Sequence, residues 1–402
     1  DLIVADPQLQ AAILGRFSAA GVQLLVERPG VVRSEVLSSR AREGEPLFWQ
    51  VALLCPEKVA APKLLFELQT SIERDFTVHV ASLSTDVTAW KVHGAPELLP
   101  RYYPELRRRD FLSSVTIGHS RYSTNTLPTV LRAQPFSLLG HNGEINTIAR
   151  LREEARMMGI PLFTDGSDSQ DLNRTLEGLM FRYGLTLFEA MEVVFPPIFS
   201  AMDGMEPELK AMYTWFRRFL KASAQGPAAI IARHRNLCVF SVDAMGLRPL
   251  WVGETDREIF ASSELGVVPH EEILSDPKPL APGEKVGVRI VAGQQVEIIG
   301  HPALRREVYQ NFRKRTNLAS QEKWVTQGAA LRDGLPALAA RFGRSAKLHQ
   351  DNLMSAFAWK SSDLSILREM AGSGSDPIAS LGYDGPLASL SSRRQNLSDY
   401  FK

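Results

Sequence analysis

The chain is poor in cysteine, with two, Cys55 and Cys238, in 402 residues. Two thiols exclude a disulfide framework and cannot by themselves ligate an iron–sulfur cluster. No apolar run reaches the length of a membrane span, and nothing resembles a signal peptide, so a cytoplasmic protein that touches no membrane is expected. Neither sign of charge is in excess: the formal net charge is +1, which gives no electrostatic reason to expect nucleic acid or an anionic membrane as partner. Short basic runs such as Arg107-Arg108-Arg109 and Arg305-Arg306 read as solvated faces. His119, His141 and His234 lack metal-ligand spacing, and no metal is expected. The chain also lacks an initiator Met and begins at Asp1.

What is present is enough apolar residue to bury a sizeable core in more than one structural unit. Leu2 to Val4, Gln23 to Glu27, Trp49 to Leu54 and Phe76 to Ser82 read as strands, separated by helices over Gln8 to Ala19 and Pro62 to Glu73. Val87 to Val92 reads as a further strand, broken by Ala95-Pro96. In the middle, Asp168, Ser169 or Asp171 is expected to cap a helix running to Tyr183, with Gly184 as its stop. Thr186 with Glu189 forms a capping box for the next helix, which ends at Pro196-Pro197. Glu206 to Lys221 is a third, with Leu209, Met212, Tyr213, Phe216 and Leu220 on its apolar face. From Pro227 the texture turns to β: Ala228 to Arg233, Leu237 to Val242, Leu250 to Gly253 and Glu258 to Ser262, then segments around Pro282-Gly283 and Gly293. This order predicts two sheets under helix layers rather than a doubly wound parallel sheet.

Chemistry concentrates between Gly118 and Thr147, in GHSRYSTNTLP and GHNGEINT. The first is dense in hydrogen-bonding side chains and reads as a strand end lining a site. In the second, Asn142-Gly143 reads as a tight turn before an amphipathic helix over Ile145 to Met158. A strand, such a turn and a helix start gather backbone N–H groups and an amide in one small volume, which suits an anion or oxyanion. Arg121 fits a bidentate carboxylate contact or an ordinary salt bridge. Asp168 fits an ammonium or a plain helix N-cap. His119 and His141 read as hydrogen-bonded walls of the site.

GHSRYSTNTLP, GHNGEINT, GSDS before a helix, GPAAI, DAMGLRPL, ASSELGV and LAPGEKV follow the order of a class II glutamine amidotransferase. They closely resemble the N-terminal glutaminase domain of glutamate synthase. Glu144 and Asn146 resemble that enzyme more than its relatives that use phosphoribosyl pyrophosphate, aspartate or fructose phosphate, and no phosphate-binding loop follows the domain. The resemblance implies an α+β fold, a four-layer αββα sandwich of the N-terminal nucleophile type, over 1–300. Residues 301–402 form a helical and irregular linker resembling the start of that enzyme's central domain.

The resemblance further implies that Arg121 holds the α-carboxylate and Asp168 the α-ammonium of L-glutamine, with His119, Ser120 and Thr124 completing the substrate contacts. Asn142 and Gly143 would be the catalytic oxyanion hole. Ammonia released from glutamine would pass to 2-oxoglutarate on a flavin domain or partner chain. FMN and an iron–sulfur cluster would therefore sit downstream, with no cofactor in this chain, and a homo-oligomer is left open. The family's nucleophile is an N-terminal cysteine activated by its own α-amine. Cys238 lies in an apolar β run and Cys55 beside Pro56, so both read as structural. Two expectations follow: a segment bearing the cysteine precedes Asp1, or the module is catalytically inactive and keeps a binding or regulatory role. Ala244-Met245 before GLRP and Gln225 before GPAA also depart from the family pattern.

Overall fold

The computed structural model describes residues 2–4, 8–57, 60–120, 129–220, 222–291, 296–316, 354 and 359–374. It divides into two compact units, Asp1–Arg315 and Thr316–Lys402. In the second unit the described part is a helix over Ser361–Ser373, stopped by Gly374 in the left-handed conformation.

The first unit opens with β1 (Leu2–Val4), α1 (Leu9–Ala19), β2 (Gln23–Pro29), α2 (Ser39–Glu43), β3 (Leu47–Leu54), α3 (Ala61–Asp75), β4 (Val78–Val80) and α4 (Leu99–Tyr102). It continues with β5 (Leu139–Gly143), α5 (Ile148–Met157), α6 (Asp168–Phe181), α7 (Leu187–Val194), α8 (Phe199–Met202) and α9 (Pro207–Phe219). Then come β6 (Ala228–His234), β7 (Leu237–Val242), β8 (Trp251–Glu254), β9 (Ile259–Ser262), β10 (Lys278–Pro279), β11 (Lys285–Arg289), β12 (Glu297–Ile299) and α10 (His301–Arg315).

The fold is mixed α and β, and every strand pairing among the described residues is antiparallel. Among the described residues three sheets form where two were expected: β2-β3-β1-β4, β10-β8-β9, and β12-β11-β7-β6-β5. The third arises because the chain leaves the large sheet after β7. There the Asp243 carboxylate accepts backbone N–H bonds from Met245, Leu247, Arg248 and Ala228, which clamps a loop that delivers β8 to a second layer. Cys238, Phe240, Val242, Ala229 and Val288 of the large sheet then meet Val252, Ile259 and Ala261 of the small one in a shared core. The four-stranded sheet carries α1 and α3, with Ile13, Phe17, Trp49, Leu68 and Ile72 buried between them.

Val87 to Val92 is not a strand. Two of its backbone groups meet side chains instead: Ser82 accepts from the Ala89 N–H at 3.3 Å, and the Tyr103 hydroxyl donates to the Lys91 carbonyl at 2.5 Å. The Lys91 ammonium, itself buried, donates to the carbonyls of Leu131 and Ala133. Tertiary partners thus replace the ladder that the apolar alternation suggests.

Helix α6 is buried over Ser169 to Met180, although Asp171, Asn173, Arg174 and Glu177 lie in that span. Each polar group on such a helix needs a partner. Toward α3 and β4, Arg174 pairs with Glu73 at 2.6 Å, and Glu73 accepts from the Val80 N–H. Toward β5, Asn173 accepts from the N–H groups of Leu138 and Leu139, and Glu177 accepts from the Ser137 hydroxyl. A second polar cluster holds α10 against α7. Glu192 lies 3.5 Å from His301 and 3.4 Å from Lys285 and accepts from the Tyr213 hydroxyl, while Glu189 pairs with Arg315 at the far end of α10.

Candidate active site

Strand β5 runs antiparallel to β6, with Asn142 opposite Ala229 and Gly143 opposite Ala228. Asn142-Gly143 is therefore the last rung of a ladder rather than a tight turn. The reversal comes over 144–147, and α5 begins at Ile148. The strand persists because the Glu144 N–H donates to the Pro227 carbonyl at 2.9 Å, and Thr147 and Gln225 exchange hydrogen bonds one step further on. Gly143 has φ 137°, and a Cβ there would lie 1.8 Å from the Pro227 oxygen. Gly226 faces it with φ 148° and would place a Cβ 2.1 Å from the Glu144 oxygen. The two glycines let two backbone segments touch.

Ser167, not Asp168, caps α6, in a capping box with Gln170. That leaves Asp168 as the first helical residue, where the helix dipole favours a carboxylate. Its Oδ2 accepts from the Ile145 N–H at 3.0 Å, so the start of α6 is stitched to the segment after Gly143. Its Oδ1 accepts from the Ser169 N–H at 2.7 Å and the Ser169 hydroxyl at 3.2 Å.

His141 lies between these parts and is 1% exposed. Its Nδ1 is 2.9 Å from the Ser169 hydroxyl. Burial pulls its pKa down to about 4, with the Asp168 charge opposing and the His119 and Arg248 charges adding to the fall, so the ring is neutral near pH 7. Its carbonyl accepts from the Gln134 amide at 2.9 Å and stands 3.1 Å from the His119 Nε2.

His119, Asn142, Gly143 and Asp168 are thereby brought together around His141 and Ile145. Ser120 is exposed beside His119. Arg121 and Thr124 fall in 121–128, outside the described residues. A cleft of about 850 Å³ opens at His119, Ser120 and Gln134, with Trp90, Lys91 and Phe136 in its walls, but Asn142, Gly143 and Asp168 do not line it. Gln134 and Asn173 escaped the sequence reading, since a lone amide bonded to backbone many residues away leaves no local signal. Among the described residues no group of three or more His, Cys, Asp or Glu could hold a metal ion, and no helix is long and apolar enough to cross a membrane. Cys238 is buried in the core between the sheets, and burial pushes its thiol up to about 11.

The family profile described as glutamine amidotransferases class-II matches residues 5–312, and one described as glutamate synthase central domain matches 352–402. The chain is 29% identical over 427 residues to ferredoxin-dependent glutamate synthase 1, chloroplastic/mitochondrial, of Arabidopsis thaliana, covering 96% of this chain and 25% of that protein. It is 30% identical over 362 residues to the NADH glutamate synthase of Saccharomyces cerevisiae, covering 83% of this chain and 16% of that one. The chain thus spans a quarter or less of these relatives. Among solved structures, the glutamine phosphoribosylpyrophosphate amidotransferase from B. subtilis, complexed with ADP and GMP, aligns with 46% of this chain and 34% of its own at 19% identity and a TM-score of 0.31, too slight a likeness to bear on the fold.

Proposed function

The chain belongs to the class II glutamine amidotransferases, and on that premise we propose that it is the glutaminase module of a glutamate synthase-like system. It binds L-glutamine and releases ammonia for transfer to 2-oxoglutarate on a flavin-bearing domain or partner. The carrying observation is the junction of β5 and α6. Asn142 and Gly143 end the strand, and Asp168 is fixed beside them through Ile145.

In this reading Asp168 takes the substrate ammonium and Arg121 its α-carboxylate, with His119, Ser120 and Thr124 around them. The Asn142 amide and the Gly143 N–H meet the oxyanion formed when a thiolate attacks the side-chain amide. A glutamyl thioester is left, and water hydrolyses it. Cys238, locked in the inter-sheet core, is unsuited to be that nucleophile, so the role falls to the family's N-terminal cysteine. The relatives are themselves named as synthases, and nothing in them favours a module without catalysis.

The finer architecture proposed is the four-layer αββα sandwich, with the five- and three-stranded sheets as its central pair and α6 and α7 as one outer layer. The amidotransferase part runs past the expected boundary at 300 to the end of α10 at Arg315, because Glu189 and Glu192 of α7 pair with Arg315 and His301. The rest leads into the central domain, with FMN and an iron–sulfur cluster on a downstream domain or partner. The protein works in an aqueous compartment, the cytoplasm in this reading, and a homo-oligomer is compatible with it.

The test has two arms. Millimolar L-glutamine raises the melting temperature and Asp168→Ala removes the rise, since a ligand at 100 times its Kd adds about 2.7 kcal/mol. In the full-length polypeptide, Asn142→Ala lowers kcat for ammonia release by about 10²-fold or more. An unshifted melt of the wild-type protein with glutamine would sink the reading.

A further inference from the structure

Asp168 could meet a cation with a freely rotating carboxylate, yet the structure spends three hydrogen bonds on fixing it. Two come from Ser169 onto Oδ1 and one from Ile145 onto Oδ2. A serine has a single hydroxyl proton. That proton goes to Asp168, so the 2.9 Å contact between Ser169 Oγ and His141 Nδ1 must run the other way, with the imidazole N–H donating. The chain of donors is then directional: His141 Nδ1–H to Ser169, and Ser169 O–H to Asp168.

The opposite tautomer fails on the same inventory. It would put a proton on His141 Nε2, which is buried and has no hydrogen-bond partner among the described residues. It would also draw the Ser169 proton away from the carboxylate. With the proton on Nδ1, both the imidazole N–H and the Ser169 O–H are in hydrogen bonds; with it on Nε2, one of those two bonds is lost. His141 is in turn fixed from outside α6, because the Gln134 amide bonds both its N–H, at 2.7 Å, and its carbonyl.

We infer that Ser169, held by His141, is a positioning residue that fixes the Asp168 carboxylate for an ammonium and so makes this site demand an α-amino acid. The inference rests on the proposed role of Asp168. An ammonium is a compact charge, and a preset carboxylate meets it without the loss of rotamer freedom that a mobile one would suffer. A ligand of the same length without the amine leaves that oriented carboxylate without its cation, and a site built around a polar group rejects the analogue lacking it.

The experiment is calorimetric titration of the protein with L-glutamine and with glutaramate, the same molecule without its α-amine. It is run on wild type, Ser169→Ala, Ser169→Thr and Ser169→Cys. Wild type prefers glutamine. Ser169→Ala narrows that preference about tenfold by weakening glutamine and leaving glutaramate unchanged, in line with the loss of one hydrogen bond to a charged group. Ser169→Thr, which keeps the hydroxyl, restores the preference, and Ser169→Cys, with its weak donor, falls between. Wild type that binds both ligands alike overturns the role of Asp168 on which the inference rests. A wild-type preference that Ser169→Ala leaves intact, or an equal loss for both ligands, overturns the inference alone.

Discussion

The Gln134 side chain and the His141 backbone are bonded as one strand residue is to another: the His141 N–H donates to Oε1 at 2.7 Å and Nε2 donates to the His141 carbonyl at 2.9 Å. Strand β5 is the edge of the five-stranded sheet, so its outer backbone groups have no neighbouring strand, and an amide stands in for one. Gln134→Leu keeps the bulk and removes both bonds, leaving a buried N–H bare. It is expected to lower stability by about 2–3 kcal/mol in urea unfolding, where a loss within experimental error would deny the rung any importance.

Gly143→Ala is expected to cost at least about 2 kcal/mol and to abolish glutamine binding, because both φ and the Pro227 oxygen oppose a side chain. Gly226→Ala should cost as much from the opposite side. A thermal melt unchanged in either variant would mean that the two backbones do not touch.

Arg174 is 3% exposed and stands between Glu73 and Glu177. Replacing it alone by Met strands two interior carboxylates and is expected to cost about 3–5 kcal/mol, and adding Glu73→Leu should recover part of that. The exposed Arg156–Glu153 pair is the control: Arg156→Met should change stability by less than about 0.5 kcal/mol. Equal effects at the two positions would contradict the burial contrast.

Acid should loosen the fold before its carboxylates titrate. Burial is the leading cause that lowers the pKa of His79, His141, His234 and His301. The unfolded chain binds their protons near the ordinary 6.5, while folded His141 waits until about 4. Between those values the unfolded state holds more protons, so stability is whole above about pH 6.5 and falls as the pH drops through that window. The His141 share is roughly 3 kcal/mol. His141→Gln should reduce proton uptake on unfolding at pH 5.5 by nearly one, measured from the slope of stability against pH. An unaltered slope would contradict a buried, neutral His141.

Much of this was legible because it is local. The strands Gln23 to Glu27, Ala228 to Arg233 and Leu237 to Val242 announce themselves by apolar runs set between turns, and the capping box of Thr186 and Glu189 fits within four residues. What was misread depends on distant partners. Val87 to Val92 alternates like a strand but is held by Ser82 and Tyr103. Asn142-Gly143 has the composition of a turn, yet Ala228 and Ala229 keep it extended. The cap of α6 was sought at Asp168, Ser169 or Asp171 and lies at Ser167, since Ser, Asp and Ser in succession all suit the position and only tertiary contact assigns Asp168 to Ile145. In the site, the motifs pointed to His119, Asn142, Gly143 and Asp168. Gln134 and Asn173, which set the strand that carries two of them, had no motif to belong to.

The double attachment of α10 to α7 decides where the gene for this unit can be cut. A fragment ending at Gly300 would deprive Glu189 of Arg315 and Glu192 of His301, and would lay bare the surface covered by Leu304, Val308 and Phe312. Such a fragment is destined for inclusion bodies, whereas one ending at Arg315 carries its own cover with it.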